Sequence, residues 1–365
     1  MRIGLLDGFS GLSAYVAEIL SMWGVLNLSR LGPAELTSLD PATTPVLLLP
    51  TGIDTDSRVA GVILAYVQQG GVVVTCLPGP QLAQAAGINV DGDRAGAQRL
   101  RLTAAPMAGL AGESLVVVGP AQRWSLLGAE TTPLAMLYPP QIEAGIDALG
   151  EAPGIVRRDV GNHGGAIIAL AFDLPLAVLL LRQGDPARAE STGRADGPAR
   201  PNHLACEVGP QEPDWIPYAD LLGRLLAELV SSAFPCPLPH LWHLPQGAPG
   251  IILYSGDEDG AQVEWNRQQF DEMTAAGGRM NLYMIPGNTH STTEDVAAYR
   301  QHHDVGPHPN IRALDNAPVS ARIEEMVRQI HQFEEQFGVC AHSLRNHCIA
   351  WAGYLEPVAA MATCG

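Results

Sequence analysis

The chain has 365 residues, 47% of them hydrophobic and 16% charged, which is enough apolar material for two or three packed domains and too much for a disordered chain. A formal charge of -17 at pH 7 argues against nucleic acid or an anionic membrane surface as partner, because either would be approached against repulsion. The longest apolar stretch, residues 166–181, is broken by Asp173 and Pro175 and is too short and mixed to span a bilayer.

The opening Met1-Arg2-Ile3-Gly4-Leu5-Leu6-Asp7 reads as a strand, and Asp7 and Glu18 interrupt anything that would serve as a secretory core. The cysteines at 76, 206, 236, 340, 348 and 364 show no CxxC spacing and no disulfide framework, so reduced thiols in the cytoplasm are expected. Residues 14–23 set Tyr15, Ile19, Leu20 and Trp23 at helical spacing. Residues 45–50 form an apolar strand between two prolines, 59–69 a second helix closed by Gly70-Gly71, and 72–76 another buried strand. The pattern closes with a strand at 164–172 and a helix at 176–182. Continuous apolar strands alternating with helices predict an α/β domain with an open parallel sheet, covered on both faces and offering its C-terminal strand ends to ligands.

These elements make residues 1–185 similar to the class I glutamine amidotransferase-like fold, a flavodoxin-like domain, in the variants attached to carbohydrate enzymes. The resemblance implies a nucleophilic cysteine between a strand and a helix, and Cys76, ahead of helix 81–86, has that place. Its neighbours Thr75, Leu77 and Pro78 are not the small glycines of the family. His163, the only histidine of the domain, is followed by Gly164 and Gly165 where the family has His-x-Glu. A thiol without a positioned base is a small apolar residue, so Cys76 reads as structural and His163 as a turn residue.

Residues 186–248 read as a linker with an amphipathic helix: Gly, Pro, Arg and Asp without periodicity up to 215, a helix at 218–231, and the rigid Phe234-Pro235-Cys236-Pro237-Leu238-Pro239. His240 and His243 are expected to pack around that tether.

Then comes Ile251-Ile252-Leu253-Tyr254-Ser255-Gly256-Asp257-Glu258-Asp259-Gly260, an apolar run ending in three acids and a glycine. It predicts a buried strand delivering carboxylates to its C-terminal mouth. Adjacent carboxylates repel, so such a site wants a cation, a shared proton or open water; a solvated acidic turn is the plain alternative. Nine of the eleven histidines follow residue 239, and histidine is the commonest neutral metal ligand. A helix at 263–276, a strand at 281–287, the run His303-Asp304-Val305-Gly306-Pro307-His308, a helix at 320–337 and residues 338–347 follow in turn. Strands that alternate with helices and end in chemistry-bearing residues predict a (β/α) barrel over 249–365.

In these motifs the chain resembles the polysaccharide deacetylases, the NodB-homology carbohydrate esterases. Their Thr-Phe-Asp-Asp-Gly motif is matched in expanded form by Asp257-Glu258-Asp259-Gly260. Aligned on the glycine, the resemblance implies Asp259 as a metal ligand and Glu258 as general base, with Asp257, on the same strand face as Asp259, as the alternative base. His303 to His308 reproduces the His-x-x-Gly-x-His segment and implies His308 as the second ligand. Arg345 stands where the family's arginine orients the catalytic carboxylate. The family's third ligand falls on Arg312, which binds no metal; His347 is the replacement, ahead of His342 and His290. The late motifs, including the histidine that protonates the leaving group, have no counterpart before Gly365, so a barrel incomplete at its C-terminus is expected. The resemblance implies a divalent metal, zinc first, and metal-dependent hydrolysis of an acetamide or ester of acetylated carbohydrate. A catalytically inactive glycan-binding or scaffolding protein is the competing reading. Arg345 as an ion-pair partner and His347 as an ordinary half-buried histidine remain the plain readings of those two residues.

Overall fold

A computed structural model of the chain describes residues 1–7, 11–51, 57–94, 96–103, 110, 114–139, 150–189, 198–206, 208 and 216–364. The chain forms two compact units, Met1–Arg182 with Cys206–Gly247 and Gln183–Ala205 with Ala248–Gly365. The stretch read as a linker is therefore divided between them. Its amphipathic helix belongs to the first unit, where Leu222, Leu225 and Leu229 are buried, and residues 183–205 belong to the second.

Unit 1 contains β1 (Ile3–Leu6), α1 (Ser13–Met22), β2 (Leu28–Leu31), β3 (Val46–Leu49), α2 (Ser57–Gln68), β4 (Val72–Cys76) and α3 (Pro80–Ala85). It continues with β5 (Ile88–Arg94), β6 (Gln98–Leu102), β7 (Ser114–Val117), β8 (Ala121–Leu126), β9 (Thr131–Tyr138), β10 (Ala152–Val160) and β11 (Gly165–Leu170). The helices α4 (Leu174–Gln183) and α5 (Tyr218–Ala233) complete the list. Nine strands share one sheet in the order β2-β1-β3-β4-β11-β10-β9-β6-β7, and β5 pairs with β8 in a second. The expected parallel sheet exists from β2 to β11. Beyond β11 the sheet turns antiparallel through β10, β9, β6 and β7, which corrects the all-parallel reading. The cause is local: only residues 161–164 join β10 to β11, far too few for a parallel crossover. β3 and β4 are buried along their whole length, as their unbroken Val and Leu runs require. Among the described residues no helix is long and apolar enough to cross a membrane.

Unit 2 contains β12 (Ser255–Glu258), α6 (Val263–Ala275), β13 (Asn281–Met284), α7 (Thr293–Tyr299), β14 (Asp304–Pro307), α8 (Val319–Phe337) and α9 (Glu356–Thr363). The strands are parallel in the order β12-β13-β14, three successive strand-helix steps. The described residues make an open three-stranded sheet and no closed barrel, because closure takes about eight tilted strands. A fourth extended segment runs beside β14. Arg345 N–H donates to the Pro307 carbonyl at 3.3 Å and His347 N–H to the Pro309 carbonyl at 3.0 Å. Gly306 permits that approach, since a Cβ there would lie 2.3 Å from the Ser343 carbonyl oxygen.

Helical faces follow the sequence closely. α8 buries Met326, Ile330, Phe333 and Phe337 at spacings of four, three and four, and ends where Gly338 takes φ +65°. Thr292 and Asp295 cap α7 reciprocally, the Thr292 hydroxyl accepting from Asp295 N–H and the Asp295 carboxylate from Thr292 N–H. Phe270, Leu282, Met284, Val296, Val305 and Phe333 share one core, each contributing roughly 1.5–3 kcal/mol by burial. The entry to β12 departs from the expectation. Ile251, Ile252, Leu253 and Tyr254 are exposed, Leu253 by 84%, and the strand consists of the polar residues that follow. β12 is an edge strand whose pairing with β13 begins only at Ser255.

Candidate functional site

The registers of β12, β13 and β14 decide which side chains meet. Asp257 pairs with Tyr283 and Tyr283 with Gly306, while Glu258 pairs with Met284. Paired residues project to the same side of a sheet, and successive ones to opposite sides. Glu258 therefore enters the side of the sheet that carries buried Leu282 and Met284, and Asp257 faces the other way.

Three ligand atoms converge at the strand ends: one each from Asp259, His308 and His347, all within 4.8 Å of one another. His347 Nδ1 lies 3.2 Å from Asp259 Oδ1 and 3.3 Å from His308 Nε2, and His308 Nε2 lies 3.5 Å from Asp259 Oδ1. His308 is 1% exposed, and its Nδ1 lies 2.6 Å from the Arg345 carbonyl. A carbonyl only accepts, so Nδ1 carries the hydrogen and the neutral ring turns an Nε2 lone pair toward Asp259 and His347. Burial pushes the His308 imidazole below its ordinary range, opposed by the Arg345 carbonyl and by Asp257 and Asp259. A lone pair, a second imidazole nitrogen and a carboxylate oxygen at these distances leave room for either an N–H on His347 Nδ1 or a cation shared by all three.

Asp257 sits beside this triangle, its Oδ2 3.9 Å from His308 Nε2. Arg345 Nη1 donates to Asp257 Oδ1 at 2.8 Å, Nη2 donates to the Ser255 hydroxyl, and the guanidinium lies over the Tyr283 ring at 4.9 Å. The backbone of Arg345 thus fixes His308 while its side chain fixes Asp257.

Glu258, the base by alignment on the glycine, is 1% exposed and turned away from the cluster. Its Oε1 accepts from the Thr289 hydroxyl at 3.1 Å and from Asn266 Nδ2 at 3.4 Å, and burial pushes its carboxyl above the usual range against those bonds. The alternation of the strand corrects that assignment: Asp257 is the carboxylate on the open side. His290 and His342 are exposed and lie outside the cluster, as does Arg312. His303 stacks on Phe270 at 4.7 Å and accepts from Met280 N–H, a packing role at the start of β14. His240, at 2.9 Å from the Trp23 carbonyl, and His243, edge-on to the Trp23 ring at 6.0 Å, pack on unit 1. Ser255 and Tyr283 escape sequence reading. Their signal is register alone, which becomes visible only once β12 and β13 are aligned.

In unit 1, Cys76 is buried and its thiol is pushed far up by burial, with Asp173 adding to the effect. His163 lies in the hairpin at the opposite end of the sheet, beside Gly70, about six residues or ~20 Å of strand from Cys76. No base faces this thiol from His163.

No family model and no curated protein matches the chain. Solved structures similar to it include an exo-β-1,4-mannosidase from Opitutaceae bacterium strain TAV5, at 14% identity and TM-score 0.37, covering 49% of this chain and 32% of that one. A β-galactosidase from Bacillus circulans sp. alkalophilus is similar at 14% identity and TM-score 0.37, over 47% of this chain and 28% of that one. The mmIFT52 N-terminal domain is similar at 12% identity and TM-score 0.38, over 63% of this chain and 98% of that one. The chain thus spans about a third or less of the length of the two glycosidases.

Proposed function

We propose that unit 2 is a metal-dependent hydrolase of the polysaccharide deacetylase type, with zinc as first choice of ion, that cleaves the acetamide C–N bond or the ester of an acetylated carbohydrate. One observation carries this reading: the triangle of Asp259 Oδ1, His308 Nε2 and His347 Nδ1, with edges of 3.2, 3.3 and 3.5 Å. Donors about 2.0–2.1 Å from a tetrahedral ion stand ~3.3 Å apart, so the triangle has the dimensions of one face of such a site. Two imidazoles and a carboxylate suit zinc and leave a fourth position open.

A bound divalent ion lowers the pKa of water and polarises a carbonyl oxygen. Asp257 is the general base, close to the triangle and on its open side, and takes the proton from the attacking water. Arg345 orients Asp257, and Tyr283 supports the guanidinium from beneath. The scattered, unframed cysteines fit a cytoplasmic location for this activity.

The test is metal analysis of the purified full chain, followed by turnover of an acetylated glucosamine oligomer and of a generic acetyl ester with and without chelator. Stoichiometric metal and chelator-sensitive turnover are expected. Metal-free, inert protein would sink the hydrolase and leave a glycan-binding or scaffolding role.

A further inference from the structure

His347 is followed by two non-glycine residues in the left-handed region, Cys348 and Ile349, both at φ 56°. For a β-branched isoleucine this is an outlying conformation, and it persists only where surrounding contacts over-determine it. Within the turn, Ile349 N–H donates to the Asn346 carbonyl at 3.0 Å and Ala350 N–H to the His347 carbonyl at 3.1 Å. Asn346 Nδ2 adds a buried bond to the Ala350 carbonyl at 3.0 Å.

The remaining ties come from a distant part of the chain. Arg200 Nε donates to the Cys348 carbonyl at 3.1 Å, and Trp351 N–H donates to the Ala199 carbonyl at 2.8 Å. The Tyr354 hydroxyl donates to the Gly184 carbonyl at 3.3 Å. These three bonds fasten residues 348–354 to a segment about 150 residues earlier, and that segment is itself closed by Asp185 N–H on the Leu204 carbonyl and by Arg188 Nη1 on the Ala205 carbonyl. Pro198, Ala199 and Leu204 are buried. Arg200 itself is exposed, and its side chain bonds the carbonyl of the left-handed Cys348.

We infer that the segment carrying Ala199 and Arg200 is a clamp, with Arg200 as a positioning residue that holds the His347 turn in its left-handed form and so keeps the His347 imidazole on Asp259 and His308. The inference rests on the metal reading above for its consequence, and on the turn geometry for its mechanism. Residues 183–189 and 198–205 thereby contribute to the site without reaching it. A free Cys348 carbonyl would let the turn relax to ordinary backbone, which swings the His347 ring because the two residues share a peptide.

The test uses the full chain and two independent variants, Arg200→Ala and Tyr354→Phe, with Arg200→Lys as the conservative control. Hydrogen exchange of the Ile349 and Ala350 amides in metal-free protein reads the clamp directly. Zinc affinity by chelator competition reads its effect on the site. Expected for Arg200→Ala are a loss of amide protection of tenfold or more and a 10–100-fold weaker zinc affinity, the range for a residue that orients a ligand, with Arg200→Lys recovering part of both and Tyr354→Phe giving a smaller change of the same sign. Unchanged protection in Arg200→Ala overturns the clamp, and lost protection with zinc affinity within twofold of the natural chain overturns its role in positioning His347. Should the natural chain bind no zinc, the metal reading fails and with it the positioning role, while the exchange result still decides whether the clamp exists.

Discussion

The Nδ1 of His308 lies 2.6 Å from the carbonyl oxygen of Arg345, and the side chain of that same arginine holds Asp257 at 2.8 Å. One residue thus sets the tautomer of an imidazole with its backbone and the orientation of a carboxylate with its guanidinium. The segment that carries it is tied to the end of β14 by backbone bonds, so the coupling is anchored to that strand.

Replacing any corner of the triangle should weaken the proposed zinc site. Asp259→Asn, His308→Ala and His347→Ala are each expected to weaken zinc binding 100-fold or more, since three protein ligands are the minimum for a catalytic site. Chelator competition measures this, and an affinity unchanged in His347→Ala would remove it from the ligand set.

The two neighbouring acids should separate cleanly. Asp257→Asn is expected to cut turnover by roughly 10²–10⁴-fold, the contribution of a general base, with metal content retained. Glu258→Gln should keep turnover within a few-fold of the natural chain, because Glu258 faces the core and bonds Thr289 and Asn266. Equal losses in both variants would return Glu258 to the chemistry.

Stability should respond to Asp173 with a definite sign. Burial raises its carboxyl above the ordinary value of 3.8, against the bond it accepts from Leu176 N–H at the start of α4. A raised native pKa means that its favourable contribution is complete below the unfolded value and is lost as pH climbs through the native one. Asp173→Asn keeps the helix cap and carries no charge, so it should melt higher than the natural chain at pH 7, with the gain shrinking as pH falls toward 4. A gain independent of pH would show that ionisation is not its source.

Cys76 should prove chemically silent. With its thiol buried and pushed upward, it is expected to resist thiol reagents until the protein unfolds, and Cys76→Ala should leave hydrolysis untouched at a cost of about 1 kcal/mol in stability. Loss of turnover in that variant would point to thiol chemistry in unit 1.

The sequence by itself determined the pieces. Val and Leu runs become β3 and β4, and four-three spacing becomes the buried face of α8, because these outcomes depend on residues within one or two turns of chain. Asp259, His308, His347 and Arg345 were picked out through the resemblance of their motifs to those of the polysaccharide deacetylases. Tertiary structure alone decided the rest. A shift of one residue in register exchanges the two faces of a strand, so only the pairing of β12 with β13 could assign Asp257 to the open side and Glu258 to the core. The antiparallel half of the large sheet, the exposure of Ile251 to Tyr254 at an edge strand, and the fastening of the His347 turn by Arg200 depend on partners tens to hundreds of residues away. Local propensity carries no record of such partners.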